Sequence, residues 1–393
     1  MARICIVTMD PSVGGGVLTK LAAFLRFAAS RNHICDLYFP TTGTYPDTEV
    51  KSLRSIGSVD RIYSIPVKKY YTFFLRTAAF ARRCRIAAGY DAYQLISGSL
   101  ELGLPFVLQN QPFVAWIACT NAAELKGVPR TKLRHYYFSN PLSDYFLWRQ
   151  EVLCGAMARA VVVDSHCSGR QVQSELGVPQ DKIKVFPAPV DVDKLQPSEP
   201  VLDPRRYILS VAQLERRKDF PTLLKAVQTV VNSFEEIELR IVGEGKERSN
   251  LERRVKQLGL EKHVVFMGNL PEDKLTEEYR GASLFVLASR QEGIGIVFLE
   301  AMACGLPVVA TDSGGAADPV VHGQTGFLVP VGDWSTLAQY MLQVLKNPRL
   351  AQRLGNAGRK KAVKEYSFDV ISHQLDSIYA KVFSVHPADR RFG

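Results

Sequence analysis

Glu292 and Glu300 carry the clearest chemical signal in the chain, because they stand eight residues apart with glycines at 293 and 295 between them. A strand-like run ends at Ala288 and helical character begins near Ile296, which puts Glu292 in a turn and Glu300 one turn inside a helix. Glycines let backbone amides approach a ligand closely, and the unpaired N–H groups of a helix N-terminus suit a phosphate. Carboxylates placed there would accept hydrogen bonds from sugar and ribose hydroxyls. The bland alternative is a plain strand–helix turn with solvated glutamates. Upstream, the stretch ERRKD at 215–219 supplies Arg216, Arg217 and Lys218, either as a phosphate clamp or as solvated loop cations.

Near the N-terminus Gly14, Gly15 and Gly16 follow the first strand-like run. A dinucleotide fingerprint would need a third glycine at position 19, which is Thr, so the NAD signal is weak. The turn reads as a donor-side contact or as a structural tight turn. The seven histidines form no Ser-His-Asp or Cys-His grouping, and the seven cysteines show no C-x-x-C spacing, so they read as reduced core thiols. No metal is expected.

These residues need elements to hold them. At 393 residues the chain is long enough for two domains. Short β-branched runs at 3–8, 160–164, 207–212, 238–243, 263–268, 283–288 and 307–311 alternate with helical patterns, which predicts α/β architecture with parallel sheets. Prolines at 187, 189, 197, 200 and 204 mark a linker. The expected division is an N-terminal Rossmann-like domain over 1–203 and a second over 204–367, with a helix at about 368–393 packing back on the first. Two doubly wound domains bind ligands at the carboxyl ends of their strands, so a shared cleft is expected.

The net charge is +10, of which the first 200 residues hold +7, and such a bias favours an anionic partner. Residues 68–87 contain Lys68, Lys69, Arg76, Arg82, Arg83 and Arg85 with no acid. On a helical wheel an aromatic arc is edged by Lys69, Arg76 and Arg83, which describes an interfacial helix on an anionic membrane. The other reading is a helix packed on its own sheet. No nucleic-acid module supports use of this charge on DNA or RNA. No signal-peptide pattern or spanning apolar run is present, so a cytoplasmic location is expected, with a peripheral position on the inner membrane face if the helix docks.

The segment EGIGIVFLE at 292–300 resembles the retaining glycosyltransferases of glycosyltransferase family 4, whose GT-B fold pairs two Rossmann-like domains. SVAQLERRKD at 210–219, RIVGEG at 240–245, VVFMGNLP at 264–271, ATDSGG at 310–315 and GQTGFLVPVGD at 323–333 agree with it. The resemblance covers nearly all of 205–366 and is looser before that. It implies sugar transfer from a nucleotide-sugar donor to a hydroxyl of a lipid-linked or glycan acceptor, with no metal. Glu292 and Lys218 would be catalytic. The donor would meet Gly15, Gly16, Gln213, Arg217, Lys218, Gly243, Glu292, Gly293, Ile294, Gly295, Ile296 and Glu300, with Glu292 on the sugar and Glu300 on the ribose. Gln213 stands where the family usually has Arg, and a neutral amide does not offset phosphate charge. Thr120 and Asn121 replace a frequent His on the acceptor side. Asp191 and Asp193 resemble a metal-binding D-x-D of a different fold, yet they follow the linker. A nucleotide-sugar epimerase of the same fold and a non-catalytic sugar-nucleotide binder are the competing readings.

Overall fold

A computed structural model describes residues 1–9, 15–41, 58–67, 79–87, 89–97, 100–117, 141–197 and 207–383. The contacts divide the chain into two units, Met1–Ala188 with Ser372–Gly393, and Pro189–Ile371. Each is built on its own parallel sheet.

Unit 1 holds seven strands: β1 (Arg3–Thr8), β2 (Ile34–Thr41), β3 (Val59–Pro66), β4 (Ala92–Ile96), β5 (Val114–Trp116), β6 (Ala160–Val163) and β7 (Ile183–Val185). Their order is β3-β2-β1-β4-β5-β6-β7, so the connection direction reverses between β1 and β4. The helices are α1 (Gly15–Ser30), α2 (Leu100–Leu108), α3 (Pro141–Met157) and α4 (His166–Leu176). Strands such as β4, AYQLI, are buried along their whole length, as a sheet covered on both faces requires. Ser165 caps α4 by accepting the Ser168 N–H at 3.0 Å, and Gly177 ends it in the left-handed region at φ 69°.

Unit 2 holds β8 (Tyr207–Val211), β9 (Glu238–Val242), β10 (Val264–Gly268), β11 (Leu284–Leu287), β12 (Val308–Thr311) and β13 (Gly326–Val329), ordered β10-β9-β8-β11-β12-β13. Between and after them run α5 (Phe220–Val231), α6 (Arg248–Gln257), α7 (Glu272–Gly281), α8 (Ile296–Ala303), α9 (Trp334–Lys346) and α10 (Pro348–Tyr366). The period-two alternation of the strands is visible in how they divide two hydrophobic cores. Ile208 and Val286 pack with Leu223, Val227 and Met341 on one face, while Leu209, Leu287 and Ala310 pack with Phe298, Met302 and Ala362 on the other. These are the two helix layers of a doubly wound sheet.

The contacts divide the two units between Ala188 and Pro189. Residues 190–195 of the proline-rich stretch are stitched onto unit 2. Val190 donates its N–H to the Tyr366 carbonyl at 2.9 Å, and Arg359 donates to the Leu195 carbonyl at 2.6 Å.

The last helix, α11 (Phe368–Phe383), carries the chain from unit 2 into unit 1. There Asp376 accepts from Arg31 at 2.7 Å, Tyr379 bonds Gln94, and the Tyr379 ring lies 5.9 Å from Phe24. Leu375 is 1 % exposed. Truncating so well buried a leucine leaves a void, so Leu375→Ala is expected to cost about 2–5 kcal/mol in urea denaturation. A loss below about 1 kcal/mol would mean that α11 merely rests on the surface.

Candidate functional site

The reversal of strand order in unit 2 lies between β8 and β11, and the residues with chemistry gather in the loops leaving these strands and β12. Opposite turns of the chain at such a point leave a crevice beyond the carboxyl ends of the strands.

After β8, residues 212–215 lead into a single 3-10 turn, Arg216–Lys218, and then into α5. Lys218 is buried. Its ammonium lies 2.5 Å from Glu292 Oε1, which also accepts the Ser289 hydroxyl at 2.6 Å. The two side chains are 74 residues apart in sequence and form a buried ion pair. Asp219, the α5 N-cap, sits at φ 44°, a conformation uncommon for a residue with a side chain. Its carboxylate receives Arg290 Nε at 3.0 Å, while the Arg290 backbone N–H donates to the Arg217 carbonyl at 2.7 Å. The loops after β8 and β11 are thereby joined through both backbone and side chains.

The loop after β12 closes the third side. The Glu292 N–H donates to the Ser313 carbonyl at 2.7 Å, and the Gly315 N–H returns to the Glu292 carbonyl at 3.0 Å. A Cβ at Gly315 would stand 1.8 Å from the Gly293 carbonyl oxygen, so only glycine permits this approach. Thr311 Oγ1 donates to the Ser289 carbonyl at 2.5 Å. Gly243, at the end of β9, has φ 131°, and a Cβ there would lie 2.0 Å from the Ala212 carbonyl oxygen. It lets the β9 end close on the segment that carries Gln213, whose side chain is exposed.

Gly295, with φ 75°, is the N-cap of α8 and supplies no side-chain cap. The opening amides of the helix, at Ile296 and beyond, therefore form an anion-binding end. Ile294 is buried beneath the loop. Beside Glu292, Ser313 Oγ and Gln291 Nε2 are buried with no hydrogen-bond partner among the described residues. Buried polar atoms in proteins are nearly always satisfied, so these two have capacity for a ligand or water. Glu300 lies one turn into α8, partly buried, and its Oε2 accepts the Tyr279 hydroxyl at 2.6 Å.

The two glutamates are tuned in opposite directions. Burial pushes the Glu292 carboxyl up, but the Lys218 and Arg217 charges and the bonds from Lys218 and Ser289 outweigh it and hold the group below the usual carboxylate range. For Glu300 burial dominates, the Tyr279 hydrogen bond offsets only part of it, and the Glu272 charge adds to it, so the carboxyl is raised.

Of the residues named from sequence, Gln213, Arg217, Lys218, Gly243, Glu292, Gly293, Ile294, Gly295, Ile296 and Glu300 are all carried by this edge of unit 2. Gly15 and Gly16 open α1 in unit 1. Gly14, Thr120, Asn121, Lys69 and Arg76 lie outside the described residues. Arg83 is exposed and donates to the Pro66 carbonyl at 2.6 Å. Phe80 and Cys84 of the aromatic arc are buried in the unit 1 core. Asp191 accepts the Lys194 N–H at 2.9 Å and so caps a turn. Sequence reasoning missed Asp219, Ser289, Arg290, Ser313, Gly315 and Tyr279. Asp219 left a trace as the end of ERRKD, and Ser313 and Gly315 as part of ATDSGG, but none was singled out.

Removing one partner of a buried pair strands the other charge, so Glu292→Gln is expected to destabilise unit 2 by roughly 3–5 kcal/mol at neutral pH. Because the folded carboxyl is held low, this contribution is complete above the unfolded glutamate value of about 4.3 and fades as pH falls through the lower folded value. Urea denaturation of wild type and variant at stepped pH should show the two converging in acid. A constant difference would exclude the ion pair as its source.

A family model described as Glycosyl transferases group 1 matches residues 191–361, and one described as Glycosyltransferase Family 4 matches residues 14–194. Among curated proteins, N-acetyl-alpha-D-glucosaminyl L-malate synthase of Bacillus anthracis is 35 % identical over 165 residues, 40 % of this chain and 43 % of that one. The GDP-mannose-dependent alpha-(1-6)-phosphatidylinositol monomannoside mannosyltransferase of Mycolicibacterium smegmatis is 32 % identical over 206 residues, 48 % of this chain and 54 % of that one. The chain thus spans about half the length of the curated relatives it matches. Among solved structures, sucrose-phosphate synthase from Thermosynechococcus elongatus superposes with a TM-score of 0.79 at 20 % identity, covering 98 % of this chain and 100 % of that one. Anabaena HepE in complex with UDP-glucose gives 0.76 at 18 % identity, covering 97 % and 100 %. Likeness at such identities speaks for the fold, and the fold is GT-B. With one model over each half and two Rossmann-like units beneath them, the chain belongs to the family 4 type of GT-B glycosyltransferases.

Proposed function

We propose that the protein transfers a sugar from a nucleotide-sugar donor to an acceptor hydroxyl with retention of configuration. The observation that carries this reading is the Lys218–Glu292 pair at the strand-order reversal of unit 2, beside the uncapped start of α8. An ammonium and a row of backbone amides suit a diphosphate, and a carboxylate beside them suits sugar hydroxyls. HepE, a neighbour in fold, is described in complex with UDP and glucose, which supports a donor of this class.

In the proposed mechanism the donor diphosphate lies against Lys218 and the first amides of α8, with Arg217 adding positive charge. The bond between the anomeric carbon and the phosphate oxygen breaks, and charge growing on that oxygen is stabilised by groups already in place. The acceptor oxygen bonds to the anomeric carbon from the same face, and its proton passes to the departing phosphate oxygen. Glu292 orients the sugar. Glu300, steadied by Tyr279, accepts from the ribose diol. Cations and helix amides supply the neutralisation, so no metal is required.

The acceptor is proposed to be a lipid-linked or glycan hydroxyl, since mannosyltransferases acting on phosphatidylinositol monomannoside are among the similar proteins. No described helix is long and apolar enough to cross a membrane. Exposed Arg82, Arg83 and Arg85 would suit peripheral contact with an anionic membrane face.

The direct test incubates the protein with UDP- and GDP-sugars and lipid or glycan acceptors, with and without EDTA, and assigns the product anomer by NMR. Equal yield in both arms and an anomer matching the donor are expected. An inverted product overturns retention, loss of transfer in EDTA overturns metal independence, and donor turnover without any acceptor product favours the epimerase. Glu300→Ala should weaken nucleotide binding by calorimetry, as charge-assisted hydrogen bonds worth roughly 1.5–3 kcal/mol are lost. Unchanged affinity would remove Glu300 from the site.

A further inference from the structure

Unit 1 has its own reversal of strand order, between β1 and β4, and a buried ion pair spans it. Lys20 lies in the second turn of α1, the helix that opens with Gly15 and Gly16. Its ammonium is 2.9 Å from Asp164 Oδ2, with the two side chains only 8 % and 6 % exposed. Asp164 directly follows β6 and precedes Ser165, the cap of α4. The other oxygen, Oδ1, accepts the indole N–H of Trp116 at 2.6 Å, and the Lys20 ammonium stands 5.7 Å from the centre of that ring. Phe186 meets the indole edge-on at 5.1 Å. Strand order β1-β4-β5-β6 means that the contact ties the helix leaving β1 to the ends of β5 and β6. On the same edge Thr8, the last residue of β1, is fully buried with no partner for its hydroxyl among the described residues.

Stability alone is a poor reason for such a pair, because apolar side chains of similar volume usually serve a core equally well or better. What a hydrogen-bonded ion pair adds is direction. We infer that Lys20, Asp164 and Trp116 form a positioning clamp that fixes the first turns of α1, and with them Gly15 and Gly16, relative to the β5 and β6 ends. This rests on the proposed glycosyl transfer, with Gly15 and Gly16 meeting the donor as the resemblance to family 4 implies. None of the three is a catalytic residue, since each acts through the helix it holds.

The test uses the full chain with Lys20→Met, the double variant Lys20→Met/Asp164→Leu, Lys20→Arg and Trp116→Phe. The single Met variant strands Asp164 and should melt well below wild type, whereas the double variant should recover most of that loss. The double variant is nonetheless expected to lose about tenfold or more in kcat/KM for the donor, as misplaced reacting groups do, without a matching fall in melting temperature. Amide hydrogen exchange at residues 19–22, whose acceptors lie in the first turn of α1, should quicken about tenfold in the substrate-free protein. Lys20→Arg should preserve both readouts. Trp116→Phe removes the indole N–H together with part of the ring and should show both effects in smaller measure, which keeps the inference testable if the double variant does not fold. Wild-type exchange, or faster exchange with unchanged kcat/KM, overturns the clamp. If wild type turns over no donor, glycosyl transfer fails while exchange still decides whether the clamp exists.

Discussion

A lysine ammonium and a glutamate carboxylate removed from water together must find each other within hydrogen-bond distance, and that requirement organises unit 2. Lys218 comes from the loop after β8 and Glu292 from the loop after β11, so their 2.5 Å contact demands that the two loops meet where the sheet reverses its order. Everything around the pair serves that demand. Arg290 reaches back to Asp219 and to the Arg217 carbonyl, Ser289 steadies the carboxylate, and Gly315 removes the side chain that would hold the β12 loop away. The buried pair is also nearly neutral as a unit, so under the proposed reading an anionic donor would compete for Lys218 and leave Glu292 needing new donors. An ionised carboxylate is acceptor-only, and the hydroxyls of a sugar are donors.

The opposite tuning of the two glutamates follows from the same geometry. Glu292 has cations beside it and stays ionised, whereas Glu300, one turn into a helix with the Tyr279 hydroxyl as its partner among the described residues, is the more easily protonated. A single E-x7-E spacing thus contains two carboxylates of different character, and much of the difference comes from residues distant in sequence, Lys218 and Arg217 beside Glu292 and Tyr279 and Glu272 near Glu300.

Much of the fold was legible because parallel strands buried on both faces are nearly continuous apolar runs, and those at 207–212, 238–243 and 283–288 coincide with β8, β9 and β11 to within about a residue at each end. The glycine-bearing turn at 293–295 was legible because its backbone restricts residue choice. The Lys218–Glu292 and Arg290–Asp219 contacts were not, since no local periodicity relates residues more than 70 positions apart. The prolines at 187–204 announced irregular backbone but said nothing about which core it would join. For residues 190–195 that was decided by Val190 and Arg359, whose hydrogen bonds place them with unit 2. The basic run at 68–87 shows the limit of a helical wheel, because an aromatic arc looks alike whether it faces lipid or a core, and Phe80 and Cys84 face the core.

The path of the chain also bears on its synthesis. Unit 2 is one unbroken stretch, Pro189–Ile371, whereas unit 1 is assembled from both sides of it. A ribosome therefore delivers every contact unit 2 needs before it delivers Leu375 and Tyr379, which complete the core against Phe24 and Gln94. Domains fold as units while the chain is made. Here the unit begun first is finished last, and during the interval its α1 layer waits with an uncovered apolar face, the period in which a chaperone would find the most to hold.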